Sequence, residues 1–193
     1  MKNKKTFFII ALVFVLLIGG ATVLYRQLGK NIAAEQLATQ STNQSDESAA
    51  GETEQKIKAP DFTVYDADGN EVHLADYIGK PIVLNFWASW CDPCQSEMPD
   101  FHEKYLELGD DVHFLMINMT DGARETVESA SAFIAKNGYA FPVFYDTKSD
   151  AASIYGAYSL PTTFFIDADG YAIAQATGAI DAETLQRGLD MIK

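Results

Sequence analysis

The hydrophobic pattern divides the chain into three stretches. From Thr6 to Tyr25 about twenty consecutive residues carry no charge and are rich in Phe, Ile, Leu and Val. A helix of that length rises about 30 Å, the thickness of a bilayer's hydrocarbon core. Lys2, Lys4 and Lys5 precede it. The positive-inside rule therefore places residues 1–5 in the cytoplasm, makes 6–25 a transmembrane anchor and exports everything after it. A cleaved signal peptide is the competing reading. Its apolar run would be only ~7–15 residues long and end at a small-x-small site. Gly19-Gly20-Ala21 is a weak site of that kind, and the apolar run continues past it through Val23, Leu24 and Tyr25. No cysteine lies near the end of the segment, which excludes a lipoprotein anchor.

Residues 26–58 change character. Over 31–58 Gln, Ser, Thr, Asn, Glu and Ala dominate and no aromatic residue occurs. Such a segment buries too little apolar surface to order itself. It reads as a flexible extracytoplasmic linker with an r.m.s. reach of roughly 30 Å.

From Ala59 to Lys193 the pattern becomes that of a folded domain. Phe62–Tyr65 and Glu71–Leu74 are strand-like runs around the turn-rich Asp66-Ala67-Asp68-Gly69-Asn70, which predicts an N-terminal hairpin. Ile82–Trp87 and Val112–Asn118 are continuous apolar runs of the kind found in central strands. Between them Cys94–Leu108 has Phe101, Tyr105 and Leu108 at helical spacing. Thr126–Asn137 is an amphipathic helix with Val127, Ala130, Phe133 and Ile134 on one face. A strand at Phe141–Tyr145, a short helix at Ala151–Tyr155 and a hairpin of Thr162–Ile166 with Tyr171–Ala176 follow. Ala182–Ile192 closes the chain as a helix with Leu185, Leu189 and Ile192 inward. Helices interleaved with strands, then a late hairpin, predict an α/β domain with a mixed central sheet flanked by helices.

Charge sharpens this division. The 193 residues carry a formal net charge of −13. Five of the 14 basic residues lie in the first thirty positions, leaving nine against all 27 acidic ones, a net of −18 for the remainder. An acidic body of this kind repels phosphate backbones and argues against nucleic-acid binding.

The chain has two cysteines, Cys91 and Cys94. A disulfide scaffold needs more of them, spread along the chain. A structural zinc site needs about four Cys/His ligands, and His73, His102 and His113 lack metal-ligand spacing. The pair is then either redox-active or incidental, and the motif around it favours redox. A strand ending at Trp87, a short connection and a helix opening at the first cysteine put that sulfur at a helix N-terminus. Unpaired N–H groups there stabilise a thiolate, the species that attacks a disulfide. Cys94, one turn later, is placed to resolve the mixed disulfide, and Pro93 suits an early helical position.

Residues 59–193 resemble thioredoxin-fold thiol-disulfide oxidoreductases of the ResA/TlpA-like branch, which is related to the AhpC/TSA redoxins. Three motifs carry the resemblance: Leu84-Asn85-Phe86-Trp87-Ala88-Ser89-Trp90-Cys91-Asp92-Pro93-Cys94, Glu97-Met98-Pro99, and Tyr158-Ser159-Leu160-Pro161-Thr162-Thr163-Phe164. The segment 119–146 corresponds to the helix-strand element this branch carries beyond plain thioredoxin.

The resemblance implies a cis bond at Pro161 facing the cysteines, with the Leu160 backbone free to pair with an extended substrate. It also implies a proton-handling role for Glu97, against the alternative of a solvated surface carboxylate. Asn85 stands where thioredoxin has a proton-handling Asp, so that role does not transfer. Trp90, Asp92 and Pro93 would line the substrate groove with Leu160 and Pro161. Asp92 opposes a strongly oxidising potential.

The expected activity is reduction of disulfides in exported clients, such as apocytochrome c or an exported methionine sulfoxide reductase. Electrons would come from a membrane thiol donor of CcdA/DsbD type. No cofactor or metal is expected beyond the Cys91–Cys94 disulfide. The alternatives are a DsbA-like oxidase and a copper chaperone of SCO type. The copper reading conflicts with the two-residue gap between the cysteines. A peroxiredoxin would carry Thr where this chain has Ala88.

Overall fold

The computed structural model describes residues 37–39 and 56–193. Its strands are β1 (Leu37–Thr39), β2 (Ile57–Lys58), β3 (Thr63–Tyr65), β4 (Glu71–His73), β5 (Ile82–Trp87), β6 (His113–Asn118), β7 (Val143–Tyr145), β8 (Thr162–Ile166) and β9 (Tyr171–Thr177). Its helices are α1 (Asp92–Leu108), α2 (Val127–Asn137), α3 (Asp150–Tyr155) and α4 (Ala182–Ile192). One mixed sheet runs β1-β9-β8-β5-β6-β7-β3-β4, with β2 also paired to β9.

The central strand β5 lies parallel to β6 and antiparallel to β8. All six of its residues are buried, as expected of a strand covered on both faces. Because side chains alternate across a strand, β5 feeds two cores. Val83 and Trp87 join a cluster with Phe101 of α1, Ala130 of α2 and Leu185 and Leu189 of α4. Ile82, Leu84 and Phe86 join Phe62, Phe164 and the α3 residues Ala151 and Ala152 on the opposite face.

The elements follow the sequence pattern closely. α1 opens two residues earlier than its periodicity indicates, because Pro93 fits the first turn. α2 is closed at its N-terminus by reciprocal bonds between Thr126 and Ser129, a capping arrangement that satisfies two end groups. With β7, α2 makes the inserted helix-strand element. The β3–β4 hairpin hangs on this insert through the pairing of Tyr65 with Tyr145.

α4 crosses close over β8. A Cβ on Gly188 would stand 2.2 Å from the Phe165 ring. Gly188→Ala is therefore expected to destabilise the fold by about 2 kcal/mol, the overpacking strain exceeding the gain in helix propensity. Urea unfolding at neutral pH measures this, and unchanged stability would refute it.

The structure departs from a flexible linker over 26–58 at two short stretches: Leu37–Thr39 pairs with Ala174–Ala176 and Ile57–Lys58 with Tyr171–Ala172. Composition misled here because an edge strand needs no apolar face of its own. It completes the backbone hydrogen bonds of a sheet that already exists. Side chains reinforce both strands. Leu37 packs against the larger core cluster, Lys56 pairs with Asp167 at 2.9 Å, and Lys58 Nζ donates to the Asp169 carbonyl at 2.7 Å. The ordered domain thus begins before Ala59. The N-terminal segment 1–5 and the anchor 6–25 lie outside the described residues. Among the described residues no helix is long and apolar enough to cross a membrane.

Candidate active site

The central strand β5 ends at Trp87, and Ala88-Ser89-Trp90 turns the chain into α1. Cys91 is the N-cap of that helix, in extended backbone geometry, and its Sγ accepts from the Cys94 N–H at 3.3 Å. The two cysteines are joined as a disulfide with their Cα atoms 5.3 Å apart. Cys91 keeps 5% of its surface exposed and Cys94 none. A partner sulfur therefore reaches Cys91 first.

Cys91 opens onto a groove of about 560 Å³. Trp90, Asp92, Pro93 and Leu160, all expected in the groove from the sequence, line it together. Met119, Asp121, Arg124, Ala157 and Tyr158 complete the wall. The Leu160–Pro161 bond is cis, and Pro161 itself is buried behind the lining. Among the described residues no hydrogen bond engages the Leu160 N–H or C=O. That leaves one donor and one acceptor available to an extended chain in the groove.

Glu97 lies one turn beyond Cys94 and is 2% exposed, so it is not a solvated surface carboxylate. Its Oε1 accepts from Asn85 Nδ2 at 2.8 Å and its Oε2 from the Ile180 N–H at 3.0 Å. Burial pushes its pKa up to about 7, Asp100 adds to the rise, and the two hydrogen bonds oppose it. A carboxyl poised near neutrality can both take and give a proton. Asn85 also donates to Thr163 Oγ1 at 3.0 Å, while its own Oδ1 is buried without a partner among the described residues.

Sequence reading missed the far wall. Arg124 and Tyr158 line the groove, and the Arg124 guanidinium lies 3.5 Å over the Trp90 ring. Glu125 is completely buried, although its position in a polar loop signals a solvated charge. The only hint in the sequence is Asp121, whose side chain turns the loop by accepting from the Ala123 and Glu125 N–H groups. Those bonds hold the Asp121 carboxyl below its usual range. Among the described residues no group of three or more His, Cys, Asp or Glu side chains could hold a metal ion.

Comparison with known proteins agrees with this geometry. The AhpC/TSA family model matches residues 56–174. The chain is similar to the thiol-disulfide oxidoreductase ResA of Geobacillus kaustophilus, 38% identical over 136 residues, covering 70% of this chain and 76% of that protein. ResA of Bacillus subtilis is 31% identical over 136 residues, covering 70% and 74%. Among solved structures, a DsbF homologue from Corynebacterium diphtheriae superposes with a TM-score of 0.64 at 27% identity, covering 79% of this chain and 99% of that one. StoA from Bacillus subtilis gives 0.58 at 26% identity, covering 67% and 96%. With a thioredoxin-like sheet, a redox disulfide at a helix N-terminus and these relatives, the chain belongs to the AhpC/TSA family and, within it, to the ResA-like thiol-disulfide oxidoreductases.

Proposed function

We propose that this chain is a membrane-anchored reductase of disulfides in exported proteins, with Cys91 as nucleophile, Cys94 as resolving thiol and Glu97 as proton acceptor. The observation that carries it is the partly open Cys91 in a groove beside the unengaged Leu160 backbone, with a buried carboxyl one turn behind Cys94. The client segment lies extended along Leu160, which the cis bond to the buried Pro161 orients, between Trp90, Asp92 and Pro93.

Cys91 thiolate attacks one client sulfur, forming a mixed disulfide and releasing the other client sulfur as thiolate. Cys94 gives its proton to Glu97, and its thiolate then attacks Cys91 Sγ. The client sulfur bound to Cys91 then leaves as thiolate. The two client thiolates take up the proton held by Glu97 and one from water, so the client ends with two thiols and Cys91–Cys94 ends as a disulfide. The two electrons are restored by a membrane dithiol donor of CcdA/DsbD type. No cofactor beyond the Cys91–Cys94 pair takes part.

The reducing direction rests on Asp92, an exposed carboxylate in the first turn of α1 between the thiols. It disfavours the Cys91 thiolate, whereas strong oxidants stabilise their reduced form. The export side rests on the apolar run 6–25 preceded by lysines. Apocytochrome c, or alternatively an exported methionine sulfoxide reductase, fits the client role.

A full-length Cys94→Ala variant is expected to accumulate an exported client linked covalently to Cys91, identifiable by mass spectrometry of the adduct. Trapping on Cys94 in a Cys91→Ala variant instead would reverse the assignment. A reduction potential near the DsbA value of about −120 mV would overturn the direction.

A further inference from the structure

Two consecutive residues of the loop after β6 hold two consecutive residues of the turn before Cys91. Glu125 accepts from the Ser89 N–H at 3.0 Å, from Ser89 Oγ at 2.7 Å and from Asn118 Nδ2 at 2.8 Å. Its neighbour Arg124 stacks on Trp90. Ser89 is also tied through its carbonyl, which accepts from Gln95 Nε2 at 2.7 Å. The loop end of this contact is itself fixed. The Met119 N–H donates to the Trp87 carbonyl at 2.9 Å, and Thr120 Oγ1 donates to Asn118 Oδ1 at 2.7 Å.

A buried carboxylate is expensive unless its partners satisfy it fully. Among the described residues no cation pairs with Glu125, and three neutral donors converge on it. All of this is spent on a residue two positions before the nucleophile. A side chain that merely filled the space could be apolar at no such cost.

From this geometry we infer that Glu125 is a positioning residue for Cys91. Through Ser89 it fixes the 88–91 turn, so that Cys91 caps α1 with its sulfur directed at the Cys94 N–H. It thereby makes the inserted loop and the nucleophile turn one rigid unit. Loosening that turn lets the sulfur leave the helix N-terminus, and the thiolate loses the N–H groups that stabilise it. The inference rests on Cys91 being the attacking thiol.

The test uses the reduced, full-length Cys94→Ala protein, in which Cys91 is the only thiol. The readout is the rate of alkylation by iodoacetamide as a function of pH. Glu125→Ala and Glu125→Gln both remove the carboxyl group, but glutamine retains an oxygen to accept from Ser89 and Asn118. Glu125→Ala is expected to react about threefold to tenfold more slowly than Glu125→Gln at pH 7, with its midpoint at higher pH. A contribution to stability alone would not move that midpoint. Coincident profiles for the two variants would overturn the inference.

If Glu125→Ala does not fold, Ser89→Ala deletes the hydroxyl bond alone and carries the test. It is expected to react about twofold more slowly than its parent, and a profile identical to the parent's overturns the inference. Failure of the parent itself to react would instead refute Cys91 as the accessible nucleophile, so the two failures are distinguishable.

Discussion

Replacing Cys91 by serine is expected to lower the rate of protein-disulfide reduction by at least about a thousandfold, with no mixed disulfide formed at either position. A hydroxyl cannot attack a disulfide at neutral pH, and Cys94 cannot substitute for the lost thiol because none of its surface is exposed. Cys91 alone combines access to the groove with the N-cap position at the head of α1. The converse variant, Cys94→Ser, keeps the first step and loses the second, so it should still form adducts while turning over no substrate. Reduction of a peptide disulfide, followed with thiol quantification, separates the two variants. Residual turnover in Cys91→Ser within tenfold of the parent would place the chemistry elsewhere.

The elements that carry this chemistry were legible because they are locally encoded. Helical periodicity from Cys94 to Leu108 put Glu97 one turn beyond the resolving thiol, and α1 keeps that spacing. Continuous apolar runs marked β5 and β6, and the inward face of α4 was readable from Leu185, Leu189 and Ile192.

What escaped was encoded at long range. The warrant for β1 and β2 lies in the open edge of β9, more than a hundred residues away, and not in their own polar composition. Glu125 is buried because Ser89, 36 positions earlier, and Asn118 turn their donors toward it. Hydropathy along the loop offers no trace of that convergence. The same limit applies to Asn85. That it stands where thioredoxin has an Asp follows from the resemblance, while its own task, donating to both Glu97 and Thr163, appears only once β8 lies beside β5.

Glu97→Gln separates the proton function from the fold. In the oxidised protein Glu97 titrates at about 7, above its ordinary value of 4.5, and desolvation is the main cause. Between those two values the native state holds a proton that the unfolded chain has released. Stability contributed by this group is therefore full below about pH 4.5 and is lost as pH rises through 7. By order of magnitude the loss is about 3 kcal/mol. Glutamine cannot ionise, so the stability of Glu97→Gln relative to the parent should rise by about that amount from pH 4.5 to 8.5. Any mismatch of its amide with the Ile180 N–H is a constant offset and leaves this slope intact. Urea unfolding of the disulfide-intact proteins across the pH range measures it, and a flat difference would show that Glu97 does not titrate as argued.

The kinetic consequence has the opposite sign. Without a carboxylate to receive the Cys94 proton, resolution of the mixed disulfide should slow by about ten- to a hundredfold, and its inflection near pH 7 should disappear. A variant whose relative stability rises with pH and whose second step is slower is the signature of a group kept in the core for its proton and not for its packing.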